Sequence, residues 1–264
     1  MRIGIDVSYA QGKIDWSKVK SKIDFAIIRA GYGAGNVDKY FKYNAESCTK
    51  LGIPFGVYWF SYALTPEMAK KEAEYCINLI SKYKLSYPVC FDYEDDSLRY
   101  SQTKKGYVPS ADNIRQIADS FLSTIEANGY YAMLYCNKNY FKKYYEIFYG
   151  RYDMWIAQWN ASEPFVTCGI WQDKATGRID GIGNQVDTNV AYKNYPELVT
   201  KKVKEKSTPE VKTYTEKEII EYISIAKDCI KGKYGNGNTR KKKIKDMGFD
   251  YSLMQEIIGM IMNG

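Results

Sequence analysis

The sequence predicts an α/β protein, an irregular TIM-like (β/α)5(β)3 barrel that is followed by a small three-helix bundle. Two observations predict the barrel: five short apolar segments alternate with helical segments, and three more then follow one another almost directly. A third observation is a polar stretch after about residue 200, which sets three short helical segments apart. Alternating β and α units that close on themselves form barrels, which carry their chemistry at the C-terminal ends of the strands.

Local signals place the elements of the barrel. Thr65 followed by Pro66 is typical of a helix start, because Thr caps well and Pro is favoured at the first helical position. Ser110 is expected to cap a helix that ends near Gly129, and the polar stretch 96–109 is expected to be a loop. The predicted strands are 3–8, 24–30, 54–60, 88–91, 131–135, 153–159, 168–172 and 185–189.

The fourth strand carries the clearest chemical signal, because its apolar run ends abruptly in acid. Asp92 and Glu94 lie two residues apart, so an extended strand would turn both to one face, with Cα atoms about 6.6 Å apart. Two neighbouring carboxylates repel each other, so one should keep its proton near neutral pH. A general acid beside an ionised partner can break a glycosidic bond. The alternative is a strand that runs out into a solvated acidic loop.

Two further acids are expected at the same rim. Asp6 ends the first strand and Asp187 lies in the eighth, and closure of the barrel would place these strands side by side. Aromatic side chains gather at the same edge and could stack on sugar rings, although core packing is the better interpretation of any single one. They are Tyr32, Tyr58, Trp59, Tyr135, Trp159 and Trp171.

The absence of histidine narrows the chemistry further. It removes Ser–His and Cys–His nucleophile pairs, and zinc sites that use histidine. No two of the six cysteines form a C-x-x-C pair, so we expect free thiols in the core and no metal site. Carboxylates should therefore supply the acid–base chemistry, without a cofactor.

The net charge of +7 belongs mainly to the C-terminal part, where 14 Lys and Arg stand against 9 Asp and Glu from Lys201 onward. A basic tail suggests a polyanionic partner, such as nucleic acid, an anionic membrane surface or a cell-wall polymer. No segment approaches the ~18 apolar residues of a membrane span. The start of the chain lacks the basic and then apolar pattern of an export signal.

The composition also predicts the domain organisation. Residues 200–213 are rich in Lys, Glu, Ser and Thr and are expected to form a linker. They would connect a catalytic barrel over 1–199 to a helical module over 214–264.

Three helices are expected in the module. Thr215 and Glu218 form a capping box that opens the first helix. A basic helix is expected over 239–246, and Ser252 should open a third helix that is rich in Met and Ile. Three helices in about 50 residues approach the lower size limit for independent stability.

Six motifs occur in order along the first 198 residues: Gly4-Ile5-Asp6-Val7-Ser8, Arg29-Ala30-Gly31-Tyr32-Gly33, Gly56-Val57-Tyr58-Trp59-Phe60, Pro88-Val89-Cys90-Phe91-Asp92-Tyr93-Glu94, Trp171-Gln172 and Val186-Asp187-Thr188-Asn189. Together they resemble the family 25 glycoside hydrolases, the lysozymes of bacteria, fungi and bacteriophages. The resemblance implies a barrel of eight strands and five helices. It also implies cleavage of the β-1,4 bond between N-acetylmuramic acid and N-acetylglucosamine in peptidoglycan.

The resemblance also implies roles for the acids. Glu94 would be the proton donor, and Asp92 would stabilise the developing charge or orient the substrate acetamido group. Asp6 and Asp187 would complete the acidic cleft. Retaining, inverting and substrate-assisted routes all stay open, and retention with acetamido participation is favoured. The substrate-binding candidates in the barrel are Tyr32, Tyr58, Tyr135 and Trp171.

The tail carries a second resemblance, through Gly232-Lys233-Tyr234-Gly235-Asn236-Gly237, Arg240 and Gly248-Phe249-Asp250-Tyr251. These residues are similar to the three-helix cell-wall-binding repeat of some phage lysozymes, which binds the muropeptide portion of peptidoglycan. Tyr234 and Arg240 are therefore candidate ligand contacts, with loop packing and a solvated helix face as the alternatives. The apolar third helix suggests self-association into a homo-oligomer, which would add avidity to a single repeat.

The leading hypothesis is a muramidase with a wall-binding tail, a phage endolysin made in the host cytoplasm without a signal peptide. It would act on the bacterial cell wall after release and would bind neither nucleic acid nor membrane. A chitinase-like glycosidase is one alternative, but Cys90 stands where that family has Asp. An inactive barrel that binds cell-wall glycan is another, which the presence of all four acids opposes. A nucleic-acid binder is opposed by the acidic cleft.

Overall fold

The computed structural model describes residues 1–200 and 215–263. The chain divides into two compact units, Met1–Thr208 and Pro209–Gly264. Almost all of the predicted linker, 200–213, lies outside the described residues.

The first unit is built on a nine-stranded sheet, and eight of its strands close into a barrel in the order β1-β9-β8-β7-β6-β5-β4-β2. Pairing of β1 with β2 completes the ring, and β3 forms a two-residue hairpin with the end of β2. All barrel pairs are parallel except the two that involve β9, so the predicted (β/α)5(β)3 barrel is confirmed. The strands are β1 Arg2–Val7, β2 Phe25–Tyr32, β3 Asn36–Val37, β4 Phe55–Phe60, β5 Val89–Asp92, β6 Ala132–Asn137, β7 Asp153–Ala157, β8 Ile170–Gly177 and β9 Val186–Ala191.

Helices connect the strands and cover the outside of the barrel. They begin as expected at Thr65, whose hydroxyl accepts from the N–H of Met68 at 3.3 Å, and at Ser110, whose hydroxyl accepts from the N–H of Asn113 at 3.1 Å. The helices that connect the strands are α1 Trp16–Val19, α2 Phe41–Leu51, α3 Pro66–Ile80, α4 Asp95–Lys105, α5 Ala111–Ala127 and α6 Lys138–Tyr140, which continues into a π-helical turn over Phe141–Tyr145. Residues 195–200, after the last strand, are helical as well.

The predicted loop 96–109 is wrong, because α4 occupies most of it. Acidic residues in the first turn and lysines in the last complement the helix dipole, and Gly106 ends the helix with φ +62°. The helix buries only Ser97 and Ser101, both polar. Its polar composition therefore reflects an exposed helix rather than a loop.

Side chains on successive strand residues enter two different layers. Ile5 and Val7 point outward and pack against the helices, and Phe91 contacts Phe121 of α5 with ring centroids 5.0 Å apart. Cys90 and Trp155 belong to a second cluster that fills the barrel interior. Because the side-chain period of a strand is two, Asp6 and Asp92 join this inner set.

The second unit contains three helices in its described part: α7 Glu216–Ile230, α8 Gly237–Asp246 and α9 Tyr251–Asn263. The predicted capping box is confirmed, since the N–H of Thr215 donates to Glu218 at 2.7 Å and the N–H of Glu218 donates to Thr215 Oγ1 at 3.3 Å. The third helix begins one residue before the predicted Ser252, and Asp250 accepts from the N–H of Leu253 at 3.2 Å. The core of the unit consists of Tyr222, Ile225, Ala226, Cys229, Ile244, Met254 and Ile258.

All six cysteines are buried free thiols. No helix in the described part of the chain has the length and apolarity needed to span a bilayer.

Candidate active site

Four acids meet at the rim formed by the C-terminal ends of the parallel strands. Asp6, near the end of β1, stands opposite Asp187 in the β1–β9 ladder. Asp92 is the last residue of β5, and Glu94 follows two residues later as the residue that caps α4. The structure therefore brings together all four acids that the sequence singles out.

Asp6 and Asp187 form a hydrogen-bonded carboxyl pair. Asp6 Oδ2 also accepts from Gln172 Nε2 at 2.9 Å and from Asn189 Nδ2 at 2.8 Å. Burial raises the pKa of Asp6, but these donors oppose the rise because they stabilise the ionised form. Burial and the neighbouring Asp6 raise the pKa of Asp187 to about 8. The mutual hydrogen bond lowers the pKa of Asp6 and raises that of Asp187, so the pair favours one shared proton, with Asp187 as its preferred carrier.

Asp92 is buried with its hydrogen-bonding capacity unfilled. Its Oδ1 has no partner among the described residues. Burial, and then the charges of Glu94 and Asp6, raise the pKa of Asp92 well above its usual value, and Arg29 opposes them. Since buried polar atoms are normally paired, this oxygen is an unsatisfied acceptor within the acid cluster.

Glu94 is half-buried, so a ligand can reach its carboxyl. Its backbone N–H donates to Ser97 Oγ at 3.2 Å, and that hydroxyl donates to the carbonyl of Ser61 at 2.7 Å. Burial raises the pKa of Glu94 to about 7, and contact with the Tyr135 hydroxyl limits the rise. A carboxylic acid that titrates near neutrality is suited to general acid catalysis.

Gln172 connects these groups. Its amide donates to Asp6, and its Oε1 accepts from the Tyr135 hydroxyl at 3.1 Å and from Trp159 Nε1 at 3.3 Å. Gln172 was absent from the predicted site, as was Asn189. Asn189 lies two residues beyond Asp187, so strand alternation places both on the inner face and could have identified it.

Three predicted aromatic residues lie near the acids. Tyr135 is 7% exposed and contacts both Glu94 and Gln172. Tyr58 packs edge-on against Trp155 with centroids 6.1 Å apart, and the charges of Asp6 and Asp92 help to raise its pKa. Tyr32, at the end of β2, is exposed on the rim.

Trp171, which was also predicted to contact substrate, lies apart from the acids. It is 8% exposed, lies in the outer core, and donates from Nε1 to the carbonyl of Gln158 at 2.8 Å. It precedes Gln172 on β8, so the two side chains point to opposite faces. The exposed aromatic residue on this side is Trp159, held at the rim by Gln172.

In the second unit the two predicted contacts are engaged in local structure. Arg240 donates from Nε to the carbonyl of Gly235 at 2.9 Å and from Nη2 to Asn236 Oδ1 at 2.7 Å. Tyr234 packs against the small core. Neither lines a cavity of about 570 Å³ beside Tyr222 and Phe249.

Four acids at the C-terminal mouth of a barrel, beside aromatic rings, are typical of a glycoside hydrolase. The profile described as Glycosyl hydrolases family 25 matches residues 5–182, and the chain belongs to this family. A CW_7 repeat matches residues 224–262, so the resemblance of the tail is confirmed as well.

Relatives from several bacteria share the barrel. Lysozyme M1 of Streptomyces globisporus is 28% identical over 199 residues, which cover 70% of this chain and 66% of that protein. A family 25 glycosyl hydrolase from Bacillus anthracis matches with a TM-score of 0.65 and 27% identity, covering 76% of this chain and 93% of that one. The modular autolysin LytC of Streptococcus pneumoniae, solved with a synthetic peptidoglycan ligand, matches with a TM-score of 0.64 and 27% identity over 72% of this chain. The match covers 46% of LytC, about half its length.

Proposed function

We propose that the protein is an N-acetylmuramidase that hydrolyses the β-1,4 bond between N-acetylmuramic acid and N-acetylglucosamine in bacterial peptidoglycan. The observation that carries the proposal is the position of Glu94 among Asp6, Asp92 and Asp187 at one open rim. Its pKa of about 7 suits it to donate a proton there. The lysozymes among its relatives support this choice of substrate.

In the proposed mechanism Glu94 donates its proton to the glycosidic oxygen as the bond from the anomeric carbon to that oxygen breaks. The leaving sugar departs as an alcohol, and positive charge develops on the anomeric carbon. The shared negative charge of Asp6 and Asp187 stabilises this cation across the cleft. Water then adds to the anomeric carbon and returns a proton to Glu94.

Asp92 is proposed to act on the acetamido group of the sugar. Its carboxyl group, which is 6% exposed, can accept from the acetamido N–H, which would orient the acetamido oxygen towards the anomeric carbon. Such participation is one of the routes by which glycosidases retain configuration. Tyr58 and Tyr135 are proposed to line the sugar site, and Tyr32 to contact substrate at its edge.

The helical module is proposed to hold the enzyme on the wall. Its CW_7 repeat supports a peptidoglycan ligand, and Tyr234 and Arg240 remain the proposed contacts. Self-association is proposed through α9, which exposes Met260 and Met262. Light scattering should show mass rising with concentration, and a monomer throughout a wide range would refute self-association.

We further propose that the protein is a phage endolysin, made in the host cytoplasm and acting on the cell wall after release. Its combination of a family 25 barrel and a wall-binding repeat supports this role.

Mass spectrometry of fragments released from purified peptidoglycan tests the proposed cleavage. The expected fragments carry muramic acid at the reducing end. Reducing-end glucosamine or freed peptides would contradict the proposal. Binding to the wall with no fragments released would instead identify a glycan-binding protein.

A further inference from the structure

A cavity of about 370 Å³ opens beside the acid cluster, within the size range of ligand sites. Phe60, which forms part of its wall, pairs with Asp92 in the β4–β5 ladder, so the cavity adjoins the proposed sugar site. Its wall is rich in aromatic rings and contains two cations. The residues that matter here are Tyr9, Arg29, Tyr32, Lys39, Phe60 and Tyr62.

Two buried carboxylates outside the catalytic cluster fix the walls of this cavity. Asp38 accepts from the N–H of Tyr9 at 3.0 Å and from the N–H of Tyr40 at 2.9 Å. Glu72 accepts from the N–H of Tyr62 at 3.1 Å. The backbone on both sides of the cavity is thus held in place before any ligand arrives, which lowers the cost of binding.

The two cations of the cavity differ in how their charge is balanced. Arg29 donates to Asp38 from Nε and Nη2, each at 2.7 Å, and its guanidinium lies 4.7 Å from the ring centroid of Tyr9. No carboxylate among residues 1–200 and 215–263 forms an ion pair with Lys39, whose Nζ lies 5.2 Å from the ring centroid of Tyr40.

The acid at the edge of the cavity does not cancel the charge of Lys39. Asp96 is paired with Arg99, which does not line the cavity. Lys39 is therefore an exposed cation without an ion-pair partner among the described residues, and it lies beside the proposed sugar site.

We propose that this cavity binds the carboxylate-bearing substituent of muramic acid, with Lys39 as its ionic partner and the tyrosine rings as its apolar walls. The substituent is the lactyl ether of the sugar or the peptide that the ether carries. The inference rests on the proposed muramidase function and extends it. It assigns the choice of muramic acid over glucosamine at the cleaved bond to a site outside the acid cluster.

The test compares Lys39→Gln with Lys42→Gln, which removes a nearby charge from the exposed surface of α2. Three substrates are used: peptidoglycan with its peptides, glycan strands stripped of peptide so that lactyl carboxylates are free, and chitooligosaccharides without lactyl groups. For Lys39→Gln we expect KM to rise about fivefold to tenfold on an anionic substrate, with kcat nearly unchanged. Lys42→Gln should match the unsubstituted protein.

The three substrates separate the sources of the carboxylate. A KM effect on stripped strands assigns the lactyl carboxylate, and an effect confined to peptide-bearing strands assigns a peptide carboxylate. Equal KM values for Lys39→Gln and the unsubstituted protein on both anionic substrates would overturn the inference, as would equally efficient cleavage of chitooligosaccharides by the unsubstituted protein. Failure of the unsubstituted protein to cleave any of the three would count against the muramidase proposal instead.

Discussion

Asp38 and Asp92 are both buried aspartates on the same side of the barrel, 2% and 6% exposed, yet their surroundings are opposite. Asp38 accepts from two backbone N–H groups and from Arg29. Asp92 has an oxygen with no partner in the described part of the protein, and it faces the negative charges of Glu94 and Asp6.

This difference distinguishes a carboxylate that holds structure from one that the proposed mechanism uses. A buried charge is tolerated when donors surround it, and removal of either partner then costs stability. An unsatisfied buried carboxyl destabilises the fold, and such a cost is typical of functional sites. Substitutions in the two regions should therefore have opposite effects on stability and activity.

The largest effect is expected at Glu94, the proposed proton donor. Glu94→Gln keeps the size and the Tyr135 contact but removes the transferable proton, so wall lysis should fall by at least about a thousandfold. Turbidity of a wall suspension measures the loss. Unfolding followed by tryptophan fluorescence reports on the barrel, since all five tryptophans lie in it.

Asp180→Asn is a control for the removal of an acidic charge, because Asp180 is exposed and forms a 3.7 Å surface ion pair with Lys18. It should leave lysis unchanged. Retained lysis in Glu94→Gln would show that another acid donates the proton.

The second prediction contrasts the two aspartates directly. Asp38→Asn should destabilise the barrel by about 2–4 kcal/mol, because Arg29 loses its buried counter-charge. Asp92→Asn should leave stability equal or higher, since it removes an unfavourable buried charge, while lysis falls about a hundredfold. Urea unfolding and turbidity measure the two quantities. Similar losses of stability in both variants would contradict the distinction between Asp38 and Asp92.

The smallest effect is expected at Glu72, whose hydrogen bonding is intermediate between that of Asp38 and that of Asp92. It is 2% exposed, one of its oxygens has no partner among the described residues, and burial raises its pKa from 4.5 to about 7. The folded state binds this proton more tightly than the unfolded state does. The resulting stability is therefore complete below pH 4.5 and is lost as the pH rises through 7.

Glu72→Gln should remove this dependence. The variant should gain up to about 3 kcal/mol over the unsubstituted protein between pH 5 and pH 8, because an amide needs no proton to stay neutral. Tryptophan-detected unfolding at both pH values measures the gain. An equal difference between variant and unsubstituted protein at pH 5 and pH 8 would contradict it.

Strand alternation and barrel closure were enough to predict the acid cluster. Asp6, Asp92 and Asp187 each occupy an inner-face position, and the parallel topology brings their strand ends together. Helix α4 was missed because polar composition is common to loops and to exposed helices. Alternation along β8 puts Trp171 in the outer layer and Gln172 beside Asp6, and applying it to this strand would have added Gln172 to the predicted site.

Other features depend on contacts that no local pattern contains. Gln172 meets Asp6 across 166 residues of sequence, and the choice of an amide there becomes meaningful only once the barrel has closed. The pairing of Arg29 with Asp38 depends in the same way on the short hairpin of β2 and β3.

The antiparallel strand β9 has a consequence for when the enzyme can first act. Asp187 reaches Asp6 only when β9 inserts between β1 and β8. Because Asp187 follows Asp6 by 181 residues in the sequence, it is synthesised much later than its partner. A nascent polypeptide still short of β9 lacks half of the paired acids and the Asn189 donor. The proposed acid cluster is therefore complete only near the end of barrel synthesis.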